Sequence, residues 1–175
     1  CGKTSLFNVL TGSRQHVGNW PGVTVERKEG FVKYEGKDLR IIDLPGTYSF
    51  SASSEDEVIA VQYILQDKPD VVINVIDSGN IERNLYLTVQ LLEMNTKVVL
   101  ALNMIDEAEK KQIFIDRQKL AKLLGVPVVA TVATKNAGIQ EMLAKAVSLE
   151  HSAGSSFKLD YGQPTNDVLQ EIASI

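Results

Sequence analysis

The stretch CGKTSLFNVLTG, Cys1 to Gly12, decides the fold. Gly-Lys-Thr running straight into a helical pattern is the second half of a phosphate-binding loop, G-x-x-x-x-G-K-[ST]. The helix reads as residues 4–12, closed by Gly12 in the left-handed position that a C-cap favours. The full pattern needs a glycine and three more residues ahead of Cys1, with a hydrophobic strand ahead of those, so the sequence is read as an excerpt of a longer chain. That strand is central in folds of this kind. Without it, two strand edges are expected to lie unpaired in the core. In such a loop Gly2 lets the backbone approach phosphate, Lys3 brings a point charge to the β and γ oxygens, and Thr4 offers a hydroxyl to Mg2+. Ser5 and the N–H groups at the helix start complete the anion cradle. Taken alone the triplet also allows a plainer reading, with Lys3 solvated and Thr4 a helix cap.

Beyond Gly12, short β-rich runs alternate with amphipathic helices. GFVKYEGKDLRIIDLPG (30–46) reads as an antiparallel hairpin turning at Glu35-Gly36-Lys37. DVVINVID (70–77), KVVLALN (97–103) and VPVVAT (126–131) are nearly continuous apolar runs, as strands covered on both faces require. Between them lie helical stripes: Val58, Val61 and Ile64; Ile81, Leu85, Val89 and Leu92; Leu120, Leu123 and Leu124 after an Asp116 cap and before Gly125; and Ile139, Met142, Leu143 and Ala146. This rhythm predicts an α/β fold of the phosphate-loop GTPase type: a doubly wound, mostly parallel sheet with one antiparallel edge strand and helices on both faces. HSAGSS (151–156) reads as a linker separating a domain over 1–150 from a new helical segment over 157–175.

Composition narrows the function classes. The 175 residues carry a net charge of -4, which gives no basic field to recruit nucleic acid or anionic lipid. One cysteine rules out an internal disulfide framework or a thiolate metal cluster. No apolar run reaches the roughly 18 residues of a membrane span.

Three further motifs follow strands in order. In DLPG (43–46), Asp43 can hold a Mg2+-bound water and the Gly46 N–H can contact a γ-phosphate, at the strand end where open α/β sheets place ligands. An Asp-initiated Pro-Gly turn is the plainer alternative. In NMID (103–106), Asp106 can accept from the ring N–H and exocyclic amine of guanine, while Asn103 braces the loop. Adenine has no such donor pair and would leave the carboxylate uncompensated. Met104 stands where this motif usually has Lys and serves as an apolar lid on the base. In ATVATKNAG (130–138), the Ala133 N–H can meet the guanine carbonyl oxygen, with Thr134 beside it. Each motif is weak alone; their order and spacing point to guanine nucleotide, GTP or GDP. The segment RQHVGNWPGVTVERKEG (14–30) lies where GTPases carry their first switch. There Thr24 is the natural second Mg2+ ligand, engaged when a γ-phosphate is present. Trp20 reads either as an anchor for this segment or as a carbonyl donor to a cation site.

CGKTSLFNVLTG, VGNWPGVTVERKEG, DLPGTYS, NIERNLYLT and NMID together resemble the cytosolic G domain of FeoB, the bacterial ferrous iron transport protein B. This is a TrmE-Era-EngA-YihA-Septin-like GTPase, and the likeness covers residues 1 to about 150. It implies a Mg2+-dependent GTPase at the cytoplasmic face of the inner membrane, with Lys3, Thr24 and Gly46 as its catalytic residues, regulating or driving Fe2+ uptake. It implies K+ stimulation, the ion held by the Gly18 and Trp20 carbonyls and by an Asn immediately before Cys1. Its implied partners are the protein's own membrane region, a helical regulatory domain that inhibits nucleotide dissociation, small cytosolic Feo accessory proteins and further copies of itself. Two departures stand out. Thr47 follows Gly46 where signalling GTPases have the water-orienting Gln. Val132 replaces the usual Ser or Thr ahead of Ala133, and altered GDP release is expected. The acidic cluster Glu55, Asp56 and Glu57 is read as a charged first helical turn in preference to a general base. A ribosome-assembly or tRNA-modification GTPase, and a nucleotide switch without hydrolysis, are the alternative readings.

Overall fold

The structure, a computed structural model, describes residues 1–51, 54–150 and the single positions 152, 157, 162 and 163. Ser152 apart, the linker expected at 151–156 lies outside these residues, as does nearly all of the helical segment expected after it.

Among the described residues, six strands form two three-stranded sheets. β1 (Gln15–Asn19), β2 (Glu26–Tyr34) and β3 (Lys37–Asp43) run antiparallel in that order. β4 (Val72–Asp77), β5 (Val98–Asn103) and β6 (Val128–Ala130) run parallel. The expected hairpin is β2–β3, and its turn places Glu35 (φ 47°) and Gly36 (φ 80°) in the left-handed region that a tight two-residue connection demands. β1 is an addition to the sequence reading. QHVGN has no apolar alternation and is almost wholly exposed. It is held by its ladder to β2 and by a turn in which Trp20 N–H donates to Val25 O at 2.9 Å.

β5 is central, with all six residues buried. Its alternation feeds two cores. Leu100 and Leu102 pack with Ile76 and with Leu91 and Leu92 of α3 (Ile81–Glu93). Val99 and Ala101 pack with Leu6 of α1 (Lys3–Thr11) and with Ile139 and Met142 of α6 (Ile139–Leu149). Each such side chain contributes about 1.5–3 kcal/mol on burial. The period of two along β5 therefore explains why helices cover both faces. The other helices obey their caps. α2 (Glu55–Gln62) starts at Ser54, whose hydroxyl accepts from Glu57 N–H at 3.2 Å, and its acidic first turn complements the helix dipole. It runs on into one π-helical stretch, Tyr63–Asp67. α4 spans Ile105–Lys110, and α5 (Arg117–Leu124) opens on Asp116 and ends at Gly125 as expected.

Among the described residues, the facing edges of β3 and β4 pair with no further strand. A cavity of about 190 Å3 separates them, lined by Leu6, Ile41, Ile42, Val72, Ile73 and Val75. α1 ties the two sheets together. Leu6 reaches the parallel core, while Thr11 lies against bare backbone at Gly30, where a Cβ would come within 2.3 Å of Thr11 Cγ2.

Candidate nucleotide-binding site

The site collects at the C-terminal ends of β3, β4, β5 and β6. Gly2 takes φ 72° just before α1, so Lys3 begins the helix with its amine turned toward β3. That amine donates to the carboxylate of Asp43 and to the Leu44 carbonyl. Asp43 ends β3 and is nearly buried, with its side chain 10% exposed. A Cβ on Gly2 would meet Asn103 Nδ2 at 2.6 Å, so only glycine fits both the backbone and the space. Thr4 and Ser5 are exposed at the first turn of α1.

Asn103, the last residue of β5 and 1% exposed, joins three loops. Its Nδ2 donates to the Cys1 carbonyl at 2.9 Å. Its Oδ1 accepts from Thr131 Oγ1 at 3.2 Å and from the Ala133 N–H at 3.1 Å. Its carbonyl accepts from Ser78 Oγ at 2.7 Å. The brace expected of Asn103 is therefore a physical link between the Gly-Lys-Thr turn and the last strand-end loop. Beyond it, Met104 adopts φ 59° and stays exposed. Asp106 accepts from Lys135 Nζ at 2.5 Å and from the Glu107 N–H at 3.1 Å. The Lys135 hydrogen bond is the chief reason that its carboxyl sits below the ordinary aspartate value. Thr134 is exposed on the short 3-10 turn Ala133–Lys135, while Val132 is buried and exchanges two backbone bonds with Ala137.

The first-switch segment packs elsewhere. Gly18 sits in β1 opposite Arg27, and Thr24 is exposed in the turn between β1 and β2. Trp20 is the anchor of this segment. It is 7% exposed, meets Tyr63 edge-on at 5.4 Å and carries the Arg27 guanidinium 5.0 Å above its ring. Its carbonyl accepts from the Val23 N–H at 3.3 Å. Gly46 is exposed at the rim of a second cavity, about 180 Å3, which Lys3, Thr47, Tyr48 and Leu87 also line. Sequence reasoning missed Ser78, Thr131 and Lys135. Ser78 directly follows the run DVVINVID (70–77) and Thr131 closes the run VPVVAT (126–131), and that position is the one signal that could have found them.

A family model described as ferrous iron transport protein B matches residues 1–146. The chain belongs to this family. It is 52% identical to the Fe(2+) transporter FeoB of Salmonella typhimurium over 93% of this chain and 22% of that protein. It is 44% identical to an Fe(2+) transport protein A/Fe(2+) transporter FeoB fusion protein of Porphyromonas gingivalis, over 98% of this chain and 21% of the fusion. The chain thus spans about a fifth of the length of the curated relatives it matches. Among solved structures, the cytosolic domain of the T. maritima FeoB iron transporter in its GMPPNP form superposes with a TM-score of 0.95 at 48% identity. That match covers 99% of this chain and 69% of that one. The fold is that of the family's G domain, a phosphate-loop GTPase fold. No described helix is long and apolar enough to cross a membrane, and no described group of three or more His, Cys, Asp or Glu side chains is placed to hold a metal ion.

Proposed function

We propose that this chain binds GTP and hydrolyses it to GDP and phosphate, as the nucleotide-responsive part of a protein that moves ferrous iron across the bacterial inner membrane. The observation that carries this reading is the Asn103 side chain, bonded at once to the Gly-Lys-Thr turn and to the loop holding Ala133. A triphosphate at Lys3 and a base at Asp106 are then read by one connected framework. Asp106 accepts from the ring N–H and amine of guanine, whose edge takes the place of the Lys135 amine, and Met104 and Thr134 flank the base.

The hard oxygen donors here fit Mg2+: the open Thr4 hydroxyl, with the Asp43 carboxylate, acting through a water, beside Lys3. When bound, Mg2+ neutralises charge on the β and γ oxygens. Lys3 leaves Asp43 for those oxygens, the Gly46 N–H contacts the γ-phosphate, and Thr24 swings in from its exposed turn as the residue that senses it. Thr47 is too short to orient water as Gln does, so backbone groups have that task. The K+ stimulation implied by the family likeness would draw on the Gly18 and Trp20 carbonyls; the Trp20 carbonyl accepts from the Val23 N–H at 3.3 Å and keeps a second lone pair for a cation. Residues 157–175 are assigned to the start of a helical regulatory domain. The protein's own membrane region and, as the Porphyromonas fusion suggests, small Feo accessory proteins are its partners at the cytoplasmic face. The test is Asp106→Asn in the full-length protein. GTP affinity falls on the order of 10- to 100-fold, from hydrogen bonds to a charged group, while xanthine nucleotide binding improves. An unchanged base preference refutes the reading.

A further inference from the structure

Thr47 leaves open what holds the Gly46 backbone in place. Pro45, Gly46 and Thr47 hang between two fastenings. On one side Lys3 donates to the Leu44 carbonyl. On the other, the exposed Tyr48 ring lies beneath the guanidinium of Arg83, whose central carbon is 4.2 Å from the ring centroid. Two residues on, the Phe50 N–H donates to Gln90 Oε1 at 2.9 Å. Arg83, Leu87 and Gln90 follow one another at helical spacing along one face of α3, so this face forms a rail under residues 44–50. The rail is itself fixed. On the adjoining face Thr88 is fully buried and accepts from Asn74 Nδ2 of β4 at 2.9 Å, and Leu91 and Leu92 sit in the core. Ser49 and Ser51 donate to Glu57, which steadies the far end of the loop.

We propose that Arg83 is a positioning residue for GTP hydrolysis: by stacking on Tyr48 it fixes Gly46 and Thr47 at the position where the γ-phosphate and the attacking water meet. The inference rests on the GTPase reading above, and Arg83 itself does not touch the nucleotide. An exposed cation–π contact corresponds to about a two- to fivefold change in rate, which sets the size of the effect.

Single-turnover hydrolysis and GDP affinity are measured in the full-length protein with Mg2+. Arg83→Ala slows hydrolysis about two- to fivefold with GDP affinity and substrate KM unchanged. Tyr48→Leu slows it equally, the double variant is no slower than either single, and both Arg83→Lys and Tyr48→Phe restore the wild-type rate. Because Tyr48→Leu removes the ring and not the charge, it also separates positioning from a direct electrostatic role of Arg83. The inference is overturned if Arg83→Ala hydrolyses at the wild-type rate, if nucleotide affinity falls in parallel with rate, or if Tyr48→Leu is silent while Arg83→Ala is slow. Wild-type protein that binds GTP without hydrolysing it overturns the GTPase reading instead, so the two failures are distinct.

Discussion

Replacing Asn103 by alanine removes three side-chain hydrogen bonds at the joint between the loops. Two of the groups it abandons are themselves buried: Ala133 is 3% exposed and Thr131 is fully buried. The Ala133 N–H has no freedom to find another acceptor. Leaving a buried donor unpaired costs about 1–3 kcal/mol. The Thr131 hydroxyl can rotate, so its loss is nearer the 0.5–1.5 kcal/mol of an ordinary bond. The Cys1 carbonyl retains some access to water, and the amide leaves a small void. Together these put the destabilisation at about 2–4 kcal/mol, a large fraction of a typical domain's 5–15 kcal/mol. Urea unfolding of the protein, compared at equal slope, reads the change directly. Asn103→Asp sharpens the test. It keeps an acceptor for Thr131 and Ala133 but sets an oxygen against the Cys1 carbonyl, so it should spare the base loop and loosen the phosphate loop. A loss below about 0.5 kcal/mol for Asn103→Ala refutes the joint.

Thr24→Ala should leave GDP affinity within about twofold while slowing single-turnover hydrolysis more than about tenfold, because the Thr24 hydroxyl is wanted only with a γ-phosphate; parallel losses contradict that role. Glu29 accepts from Arg40 Nε at 2.6 Å and Nη2 at 2.9 Å, and from Arg27 Nη2 at 3.2 Å. The Arg40 hydrogen bond holds its carboxyl below the ordinary glutamate value, against the opposing effect of burial. A lowered carboxyl stabilises the fold above the ordinary value, and that contribution fades as pH falls through the lowered one. The unfolding midpoints of wild type and Glu29→Gln should therefore differ at neutral pH and converge in acid; a gap independent of pH counts against the pairing. Gly138 has φ 76°, and a Cβ there would lie 2.0 Å from the Ala130 carbonyl oxygen. Gly138→Ala should cost at least about 2 kcal/mol from left-handed strain and the clash together, measured by thermal unfolding. Full stability in that variant would show that the turn relaxes freely.

What the sequence made legible were features written in near neighbours. The nearly continuous apolar run KVVLALN (97–103) announced a strand covered on both faces. Asp116 and Gly125 bracketed a helix, and Glu35-Gly36 marked a hairpin turn. Lys3 and Asp43 could be named because each stands at a fixed offset from a strand or helix end, and their side chains do meet. β1 was not legible. Gln15–Asn19 carries no alternation, and its pairing depends on Trp20 finding Tyr63, a contact across the chain that no local pattern encodes.

The same division explains which parts of the site escaped. Asn103 and Asp106 sit inside a four-residue motif, so spacing alone singles them out. Ser78, Thr131 and Lys135 bond to those two residues from other strand-end loops, Ser78 from the one after β4 and Thr131 and Lys135 from the one after β6. Their bonds exist because parallel strands β4, β5 and β6 end in register, which brings Asp77 beside Asn103 and Leu102 beside Ala130. A hydroxyl one residue past β4 or β6 then arrives within reach of the amide that ends β5. Register across a parallel sheet is set by crossover helices burying their apolar faces, here α3 and α5 on one side of the sheet and α6 on the other. The polar joint at the nucleotide end is thus positioned by Leu91, Leu92, Leu124 and Met142. A core substitution that shifts β6 by one residue would turn Thr131 and Ala133 away from Asn103 while every motif residue stayed in place.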